Sequence, residues 1–582
     1  MPLLIYGADI PYDEEITLDR FVDVVDDSSW NEFMPNGVTK DKFKEFKKYY
    51  DEEVFIAAGR RIRNIAKEAD TLDPTERVKK IAGLFSYFKN PDKETVLTPW
   101  RVVNMHMSDC LGGYCFYDKS FTEEGKLDEP RLVDRGQVTE DVFGKLDTQI
   151  LEINSKTGLY PLYVTYSTYR RKLCELTVKE ATVKDKQDLW LQTVDKNVFV
   201  ICKTPMAKAI TKRTLTGYSG KSINAHYFDD LVNIMQNKPQ QFTGKVLKES
   251  YWKKGNESMK FDAIIGNVPY QQETDGAGRQ AKPIYNHFVM QAKALEPKYI
   301  SMIIPSRWFA GGMGLDAFRE NMKIDRSIRK IVDFTNAKDC FPTASISGGV
   351  MYFLWNRDRQ GLCNFKNITN GYSDEKERLL DEYPVVVRYN KAETIINKVR
   401  SFNEKCITDI ISSLMPFGLS TNVRGETNQI DGYYKLYASN GVTYIDPKQI
   451  TKGEEYVGSY KVLVSKTSAE HAGEPSKDGK FRVIPTSMKV IGPEEVCTHS
   501  YFLIGNYDNK ETAQNLLEYL KTPFVRFLVL MSLSGFGLSK LAFGFVPMQD
   551  FSIEWNSNML YDKYSLTKEE VKFIESMIKP FE

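Results

Sequence analysis

The sequence lacks the segments that would place it in a membrane or a secretory pathway. It contains no run of about 18 apolar residues, the length that a membrane-spanning helix requires. Its first residues do not show a basic stretch followed by an apolar one, as a signal peptide would. These absences predict a cytoplasmic protein without a membrane partner.

Cysteine and histidine are few and scattered. No two of the eight cysteines form a C-x-x-C pair, and the five histidines lack the spacing of paired metal ligands. This pattern excludes a disulfide framework and a zinc-finger type of site, and it is typical of a reducing compartment. We therefore expect no metal.

Net charge is nearly absent, at +1 from 79 Lys and Arg against 78 Asp and Glu, which excludes a histone-like polybasic protein. The charge is nevertheless unevenly distributed. Residues 1–30 hold eight acids and one base, a local −7 that leaves +8 for the remainder, and residues 201–260 hold eleven bases and four acids, a local +7. An acidic start and a basic middle indicate segments that meet different partners, although solvated faces also cluster in this way.

The chain of 582 residues is too long for one hydrophobic core, and its length predicts about three or four domains. Residues 38–90 have helix-compatible spacing, with a new helix start at Asp73-Pro74. From residue 95 onward, apolar runs alternate with helix-like stretches, which is typical of an α/β domain with a largely parallel sheet. The predicted strands are 150–153, 198–201, 261–265, 299–304, 331–334 and 349–355. Polar turns and Gly-containing strands follow, and helices are predicted at 510–530 and 567–579.

The string Phe261–Tyr270 carries the clearest chemical signal. An apolar strand runs into Gly-Asn-x-Pro-Tyr, so an amide, an extended carbonyl and an aromatic ring meet at the carboxyl end of a strand. An exocyclic amino group needs acceptors for its two N–H bonds, and the Asn267 side-chain oxygen and the Val268 carbonyl can supply them. The Tyr270 ring can stack on a flipped base. The plainer alternative is a strand end with a turn at Pro269 and a packed tyrosine.

This string resembles motif IV of the amino-methyltransferases that act on DNA, usually written Asn-Pro-Pro-Tyr. Asp275-Gly276, Pro283-Ile284-Tyr285 and Met302–Phe309 extend the match. From about residue 30 to its end, the chain is similar to the N6-adenine DNA methyltransferases of restriction–modification systems. It resembles the large single-chain type, with a gamma-like order of motifs and an Asn-Val-Pro-Tyr variant of motif IV.

The resemblance implies a fold and a domain order. It implies a Rossmann-like, S-adenosylmethionine-dependent α/β methyltransferase domain over residues 91–365. A helical N-terminal region over residues 1–90 would precede it, and a mixed α/β target-recognition and C-terminal domain over residues 366–582 would follow.

The resemblance also implies residues that bind the methyl donor, S-adenosylmethionine. Motif X, a Thr-Pro pair opening a helix, matches Thr98 and Pro99. Pro99 would be the first helical residue and Thr98 its cap, and the helix start would offer N–H groups to the donor's carboxylate. Motif I, an acid followed by glycines after the first strand, matches Glu152, Asn154 and Gly158.

The sequence departs from the family pattern at two positions. Lys156 stands where a glycine is expected, and a lysine does not freely adopt the backbone conformation that glycine does. Val268 replaces the first proline of motif IV, although the chemistry needs its carbonyl rather than its ring. No acid ends the second strand to bind the donor's ribose. Asp229, after the third strand, is the candidate for an adenine-side contact, and an acid favoured by a helix start is the alternative.

The implied reaction is a direct displacement that transfers a methyl group to a flipped adenine. A cytosine C5 enzyme would need a Pro-Cys nucleophile, and no proline in the chain precedes a cysteine. Because of the two departures, a catalytically weak or inactive DNA-binding specificity subunit that retains the methylase fold remains an alternative. An RNA or protein methylase shares the logic of Asn-x-Pro-Tyr and is a third.

The implied partner is double-stranded DNA, recognised by the region after residue 400. Candidate DNA-binding residues on its strands are Lys461, Lys466, Arg482 and Lys489. Exposed lysines that protect strand edges from aggregation are the alternative for each of them. No motor or nuclease motif is present, so the chain is either a stand-alone methylase or the methylase part of a split system with a separate restriction or translocase subunit.

Overall fold

The computed structural model describes residues 1–90, 96–175, 181–272, 281–344, 346–466, 473, 475–533 and 537–581. The pair Asp275-Gly276, which contributed to the resemblance, lies outside these residues.

The first ninety residues form helices, as their spacing predicts. Their bounds are α1 (Pro2–Gly7), α2 (Leu18–Val24), α3 (Asp27–Phe33), α4 (Lys40–Phe46), α5 (Glu52–Ala69) and α6 (Pro74–Ser86). Short polar side chains accept first-turn N–H groups at five of the helix starts, namely Thr17, Asp26, Thr39, Asp51 and Asp73. The predicted start at Asp73-Pro74 is the start of α6.

The middle of the chain alternates strands and helices. It begins with α7 (Trp100–Cys110), the hairpin β1 (Gly113–Tyr117) and β2 (Lys126–Val133), and α8 (Gln137–Thr139) with a π-helical turn over Glu140–Gly144. There follow β3 (Ile150–Ser155), α9 (Leu159–Glu175), α10 (Val183–Asn197), β4 (Val198–Cys202), α11 (Pro205–Thr216), β5 (Asn224–Tyr227), α12 (Leu231–Asn237), α13 (Pro239–Val246), β6 (Ala263–Asn267), α14 (Tyr285–Ala294), β7 (Tyr299–Pro305), α15 (Asp316–Ile324), β8 (Ile328–Phe334), β9 (Val350–Asn356), β10 (Cys363–Thr369) and β11 (Tyr372–Arg378).

One large sheet organises this region, with nine strands among the described residues in the order β11-β10-β8-β9-β7-β6-β3-β4-β5. From β7 to β5 all neighbours are parallel, so their carboxyl ends share one edge. β9 is antiparallel to both β7 and β8. The six predicted strands are confirmed, with differences of a few residues at their ends.

Helices cover both faces of the sheet and form separate hydrophobic clusters with it. One cluster runs from Leu3 to Leu354 and joins the N-terminal helices, α7, α9 and α11 to one face. The other runs from Leu151 to Val386 and includes α12 to α15. Within the first cluster, the Tyr6 hydroxyl in α1 donates to the Thr214 hydroxyl in α11 at 3.4 Å. The N-terminal helices are therefore built into the same core as the sheet.

The C-terminal region has smaller sheets and its own cores. Its elements are α16 (Ala392–Ser401), β12 (Tyr434–Ala438), β13 (Gly441–Ile445), β14 (Tyr460–Ser465), β15 (Lys489–Ile491), β16 (Glu495–Cys497), β17 (Tyr501–Tyr507), α17 (Lys510–Lys521), α18 (Pro523–Met531), α19 (Ser557–Lys563) and α20 (Lys568–Met577). The strands pair in the orders β13-β12-β16 and β15-β14-β17.

The single helix predicted over 510–530 is wrong. Pro523 cannot donate within a continuing helix, and Thr522 caps the new helix α18. The helix predicted at 567–579 is confirmed as α20. In the described ranges, no helix combines the length and the apolar character needed to cross a membrane.

Candidate active site at the carboxyl edge of the sheet

The carboxyl end of β3 carries a bulge that turns Asn154 toward a neighbouring strand. The pairing of β3 with β4 shifts register between Ile153 and Ser155, which leaves Asn154 as the extra residue. Asn154 has a φ of +70°, a left-handed conformation that asparagine tolerates better than most residues. Its side-chain N–H donates to the backbone oxygen of Asn267 at 3.1 Å, so the tips of β3 and β6 are joined.

The loop after the bulge requires a glycine at position 158 and not at position 156. Gly158 has a φ of +76°, and a Cβ there would lie 3.0 Å from the Thr211 Cα in α11. Lys156 does not adopt a positive φ. The expectation that Lys156 occupies a position requiring glycine is therefore wrong, because the positive φ values in this segment fall on Asn154 and Gly158.

Asn267 ends β6 and is held by the segment that precedes α7. Its side-chain N–H donates to the Thr98 hydroxyl at 2.9 Å. Pro99 is the residue that precedes α7, in extended conformation, and no side chain caps that helix. The predicted cap by Thr98 is wrong because the helix begins at Trp100, one residue later than expected, and the Thr98 hydroxyl binds Asn267.

The loop after Asn267 is anchored on both sides. The Val268 side chain is buried in the cluster beneath the sheet, so position 268 can contribute only its backbone to the site. The backbone N–H of Ile284 donates to the Tyr270 carbonyl at 3.1 Å, and Pro269, between Val268 and Tyr270, is half-buried. Burial raises the pKa of the Tyr270 hydroxyl well above its usual value, although the nearby Asn267 side chain lowers it.

Glu152 places a carboxyl inside β3, where it is only 5% exposed. Burial raises the pKa of this carboxyl to about 8, against a smaller opposing effect of the Ser155 side chain. An acid buried without a cationic partner costs stability, and such groups cluster at functional sites.

Buried oxygens without partners line this edge of the sheet. Among the described residues, Glu152 Oε2, Asn154 Oδ1, Asn267 Oδ1 and the Tyr270 hydroxyl make no hydrogen bond of normal geometry. Native proteins satisfy the great majority of such groups, so several unsatisfied acceptors on adjacent strands indicate a site for a ligand rich in N–H and O–H donors. Asp229 is exposed and follows β5 at the same edge, where β4 lies between β5 and β3.

A buried ion pair braces the neighbouring part of the edge and was not predicted from the sequence. The Arg388 guanidinium donates to both carboxylate oxygens of Asp333, at 2.7 and 2.8 Å. The Ser306 hydroxyl, which follows β7, donates to the same carboxylate at 2.6 Å. Asp333 lies within a predicted strand. Its partner Arg388 lies 55 residues later, and nothing in the sequence near Arg388 indicates the ion pair.

The four predicted DNA-binding residues differ in their exposure. The prediction is wrong for Lys461, which is fully buried with its ammonium group donating to the carbonyls of Ser459 and Gly492 at 3.0 and 2.7 Å. Its strand β14 has a hydrophobic cluster on each face, which leaves no exposed face for a lysine. Lys466 and Arg482 are half-buried, whereas Lys489 is exposed beside the Tyr437 ring.

The family model and the protein sequence that match this chain are both described as methylases. Residues 196–341, which include Asn267–Tyr270, match the family model described as Eco57I restriction-modification methylase. Over 155 residues, 26% of this chain, the sequence is 39% identical to a protein of Mycoplasma pneumoniae (strain ATCC 29342 / M129 / Subtype 1) described as an uncharacterized adenine-specific methylase. The match spans only 37% of that relative's own length.

Two solved structures are similar in part. One is a DrdV–DNA complex determined by cryo-electron microscopy, 12% identical, with a TM-score of 0.43 over 89% of this chain and 61% of that one. The other is the methyltransferase subunit of a type I restriction-modification system from Streptococcus thermophilus, 12% identical, with a TM-score of 0.33 over 67% of this chain and 71% of that one.

Proposed function

We propose, from the match of residues 196–341 to restriction-modification methylases, that the chain is a site-specific DNA adenine N6-methyltransferase using S-adenosylmethionine. The observation that carries the proposal is the row of unpartnered buried oxygens of Glu152, Asn154 and Asn267. A donor with ammonium and hydroxyl groups and an adenine with an amino group together need such acceptors. The nine-stranded sheet is accordingly interpreted as a Rossmann-like methyltransferase domain.

The donor side of the site is formed by β3 and the start of α7. The Glu152 carboxyl and the Asn154 side-chain oxygen would accept hydrogen bonds from the donor, and Gly158 lets the chain turn into α9 close beneath it. The first turn of α7 has no side-chain cap after Thr98-Pro99, so its N–H groups suit the donor's carboxylate. When bound, S-adenosylmethionine supplies a methyl group on a positively charged sulfur. Asp229 stays a prediction for the adenine-side contact.

The acceptor side is the loop after β6. Asn267 uses its amide N–H for Thr98 and is left with an unpartnered amide oxygen, which together with the Val268 carbonyl would accept both N–H bonds of a flipped adenine. Tyr270 would stack on the base. These groups need not remove a proton before transfer, and their work is to hold the amine in line and to stabilise its developing positive charge.

The partners are proposed on the same basis. Double-stranded DNA would contact Lys466, Arg482 and Lys489 in a C-terminal target-recognition domain, and a separate restriction or translocase subunit would complete a split system. The predicted division at residues 90 and 365 likewise remains a proposal. The alternative of an inactive specificity subunit is not favoured, because its argument from Lys156 does not hold.

Sequencing of DNA from a host that expresses the protein tests the proposal, because methylation-sensitive reads report activity and recognition site together. We expect N6-methyladenine at one sequence motif with the wild-type protein. Asn267→Ala should lower transfer about 100- to 1,000-fold, as loss of a group that stabilises developing charge does in other enzymes. Its affinity for the donor, measured by calorimetry, should stay close to that of the wild type.

Asn558→Ala is the matched control, since Asn558 is exposed on α19. Normal methylation by Asn267→Ala would show the catalytic assignment to be wrong. A wild-type protein that neither binds the donor nor methylates DNA would refute the proposed function. Transfer to RNA or to glutamine, but not to DNA, would favour the RNA or protein methylase.

A further inference from the structure

Glu32 in α3 is a buried acid whose carboxylate is only partly satisfied. The residue is 4% exposed, and its Oε2 atom accepts a hydrogen bond from the Thr204 hydroxyl at 2.5 Å. Its Oε1 atom is buried without a hydrogen-bond partner in the part of the chain that the structure describes. An unpaired carboxylate oxygen in this position is costly unless a ligand uses it.

The contacts of α3 place Glu32 at the carboxyl end of β4. Thr204, its partner, follows β4 directly and caps α11. The Ser29 hydroxyl, one turn earlier in α3, accepts from the Met206 backbone N–H at 3.1 Å and fixes the helix against the same helix start. β4 is the strand next to β3, which carries Glu152.

A buried cysteine at the end of β4 is influenced by both acids. The Cys202 thiol at the end of β4 has its pKa raised above the usual value, first by burial and then by the Glu152 and Glu32 carboxylates. The tip of β4 itself, Cys202-Lys203-Thr204, carries no acid. Glu32 supplies the carboxylate from outside the sheet.

We infer that Glu32 binds the ribose hydroxyls of the methyl donor, an inference that rests on the proposed function. In open α/β sheets that bind nucleotides, an acid at the end of the second strand accepts hydrogen bonds from the ribose. Glu32 brings an unpartnered carboxylate oxygen to the equivalent edge of this sheet, one strand away from Glu152.

Open space adjoins this part of the molecule. A cavity of about 280 Å³ is lined by Phe33 and Met34, the residues after Glu32, and by Leu97, the residue before Thr98. The residues that line this cavity all lie between positions 1 and 97, so the N-terminal helices and the segment before Thr98 enclose it.

Calorimetry with the full chain tests the inference through the ligand's hydroxyls. The probes are S-adenosylhomocysteine and its 2′,3′-dideoxyribose analogue. We expect the wild type to bind the parent compound about 10- to 100-fold more tightly than the analogue, the range for hydrogen bonds to a charged group. Glu32→Gln should lose most of this preference and bind the analogue as the wild type does.

Asp27→Asn, an exposed acid on the same helix, is the matched control and should change neither affinity. An equal loss for both ligands in Glu32→Gln would mean that the carboxylate acts only on the fold, and the inference would be overturned. Equal affinity of the wild type for both ligands would overturn it even if the variant failed to fold. A wild type that binds neither ligand would refute the proposed function itself.

Discussion

The buried carboxyl of Glu152 makes the stability of the protein depend on pH in a direction that can be tested without any ligand. The folded protein holds this group protonated at neutral pH, since burial raises its pKa from an ordinary 4.5 to about 8. The unfolded chain releases the proton at the ordinary pKa. Between these two values unfolding therefore releases a proton, and the free energy of unfolding falls as pH rises.

The size of the effect follows from the pKa. Each pKa unit corresponds to about 1.4 kcal/mol, so this one group lowers the free energy of unfolding by about 3 kcal/mol at pH 7 relative to pH 4, and by about 5 kcal/mol above pH 9. Glu152→Gln keeps the shape of the side chain and removes the ionisation. The variant should therefore be more stable than the wild type at pH 8 and of similar stability at pH 4.

Thermal unfolding between pH 4 and pH 9, without ligand, measures this difference. The melting temperature of Glu152→Gln should exceed that of the wild type by a margin that grows with pH and levels off above pH 8. Glu53→Gln, at an exposed position in α5, controls for loss of a surface charge. A difference that is independent of pH, or a variant that is less stable at pH 8, would refute the assignment of Glu152 as a buried, protonated acid.

Two more predictions concern buried charges elsewhere. Arg388→Met should destabilise the fold by about 3–5 kcal/mol in thermal or urea unfolding, because it leaves the buried Asp333 carboxylate without its cation, and a further Asp333→Leu should restore most of the loss. An undiminished melting temperature in the single variant would contradict the ion pair. Lys461→Met should leave duplex affinity and its salt dependence unchanged in fluorescence anisotropy, whereas Lys489→Ala should reduce the salt slope by about 1. A reduced slope for Lys461→Met would mean that the lysine reaches DNA.

The strands of the central sheet are predictable because their signal is local. A parallel strand covered on both faces is a continuous apolar run, as in Val198–Cys202, whichever strands pair with it. The polar residues that end such runs, among them Asn267, are visible in the sequence for the same reason. The chemistry assigned to them is a prediction from residue type, from position and from the resemblance to motif IV.

The features that the sequence does not predict depend on contacts between distant segments. The apolar sequence of β9 is similar to the sequences of the parallel strands in the sheet. β9 nevertheless pairs antiparallel with β7 and β8, and no local pattern sets that direction. The alternation in Tyr460–Ser465 suggests an exposed face for Lys461, but a second core covers it. Glu32 lies 172 residues from Thr204, its hydrogen-bond partner, and nothing near it in the sequence indicates a ligand.

The packing of α1 against α11 sets an order of events during synthesis. Tyr6 and its partner Thr214 are 208 residues apart, so α1 leaves the ribosome long before its docking surface exists. At about 5–20 residues per second, that interval is about 10–40 s, during which α1 is without its partner helix α11. The contact between α1 and α11 therefore forms well after α1 itself is made, and the surplus of acids in residues 1–30 favours the solubility of that segment during the interval.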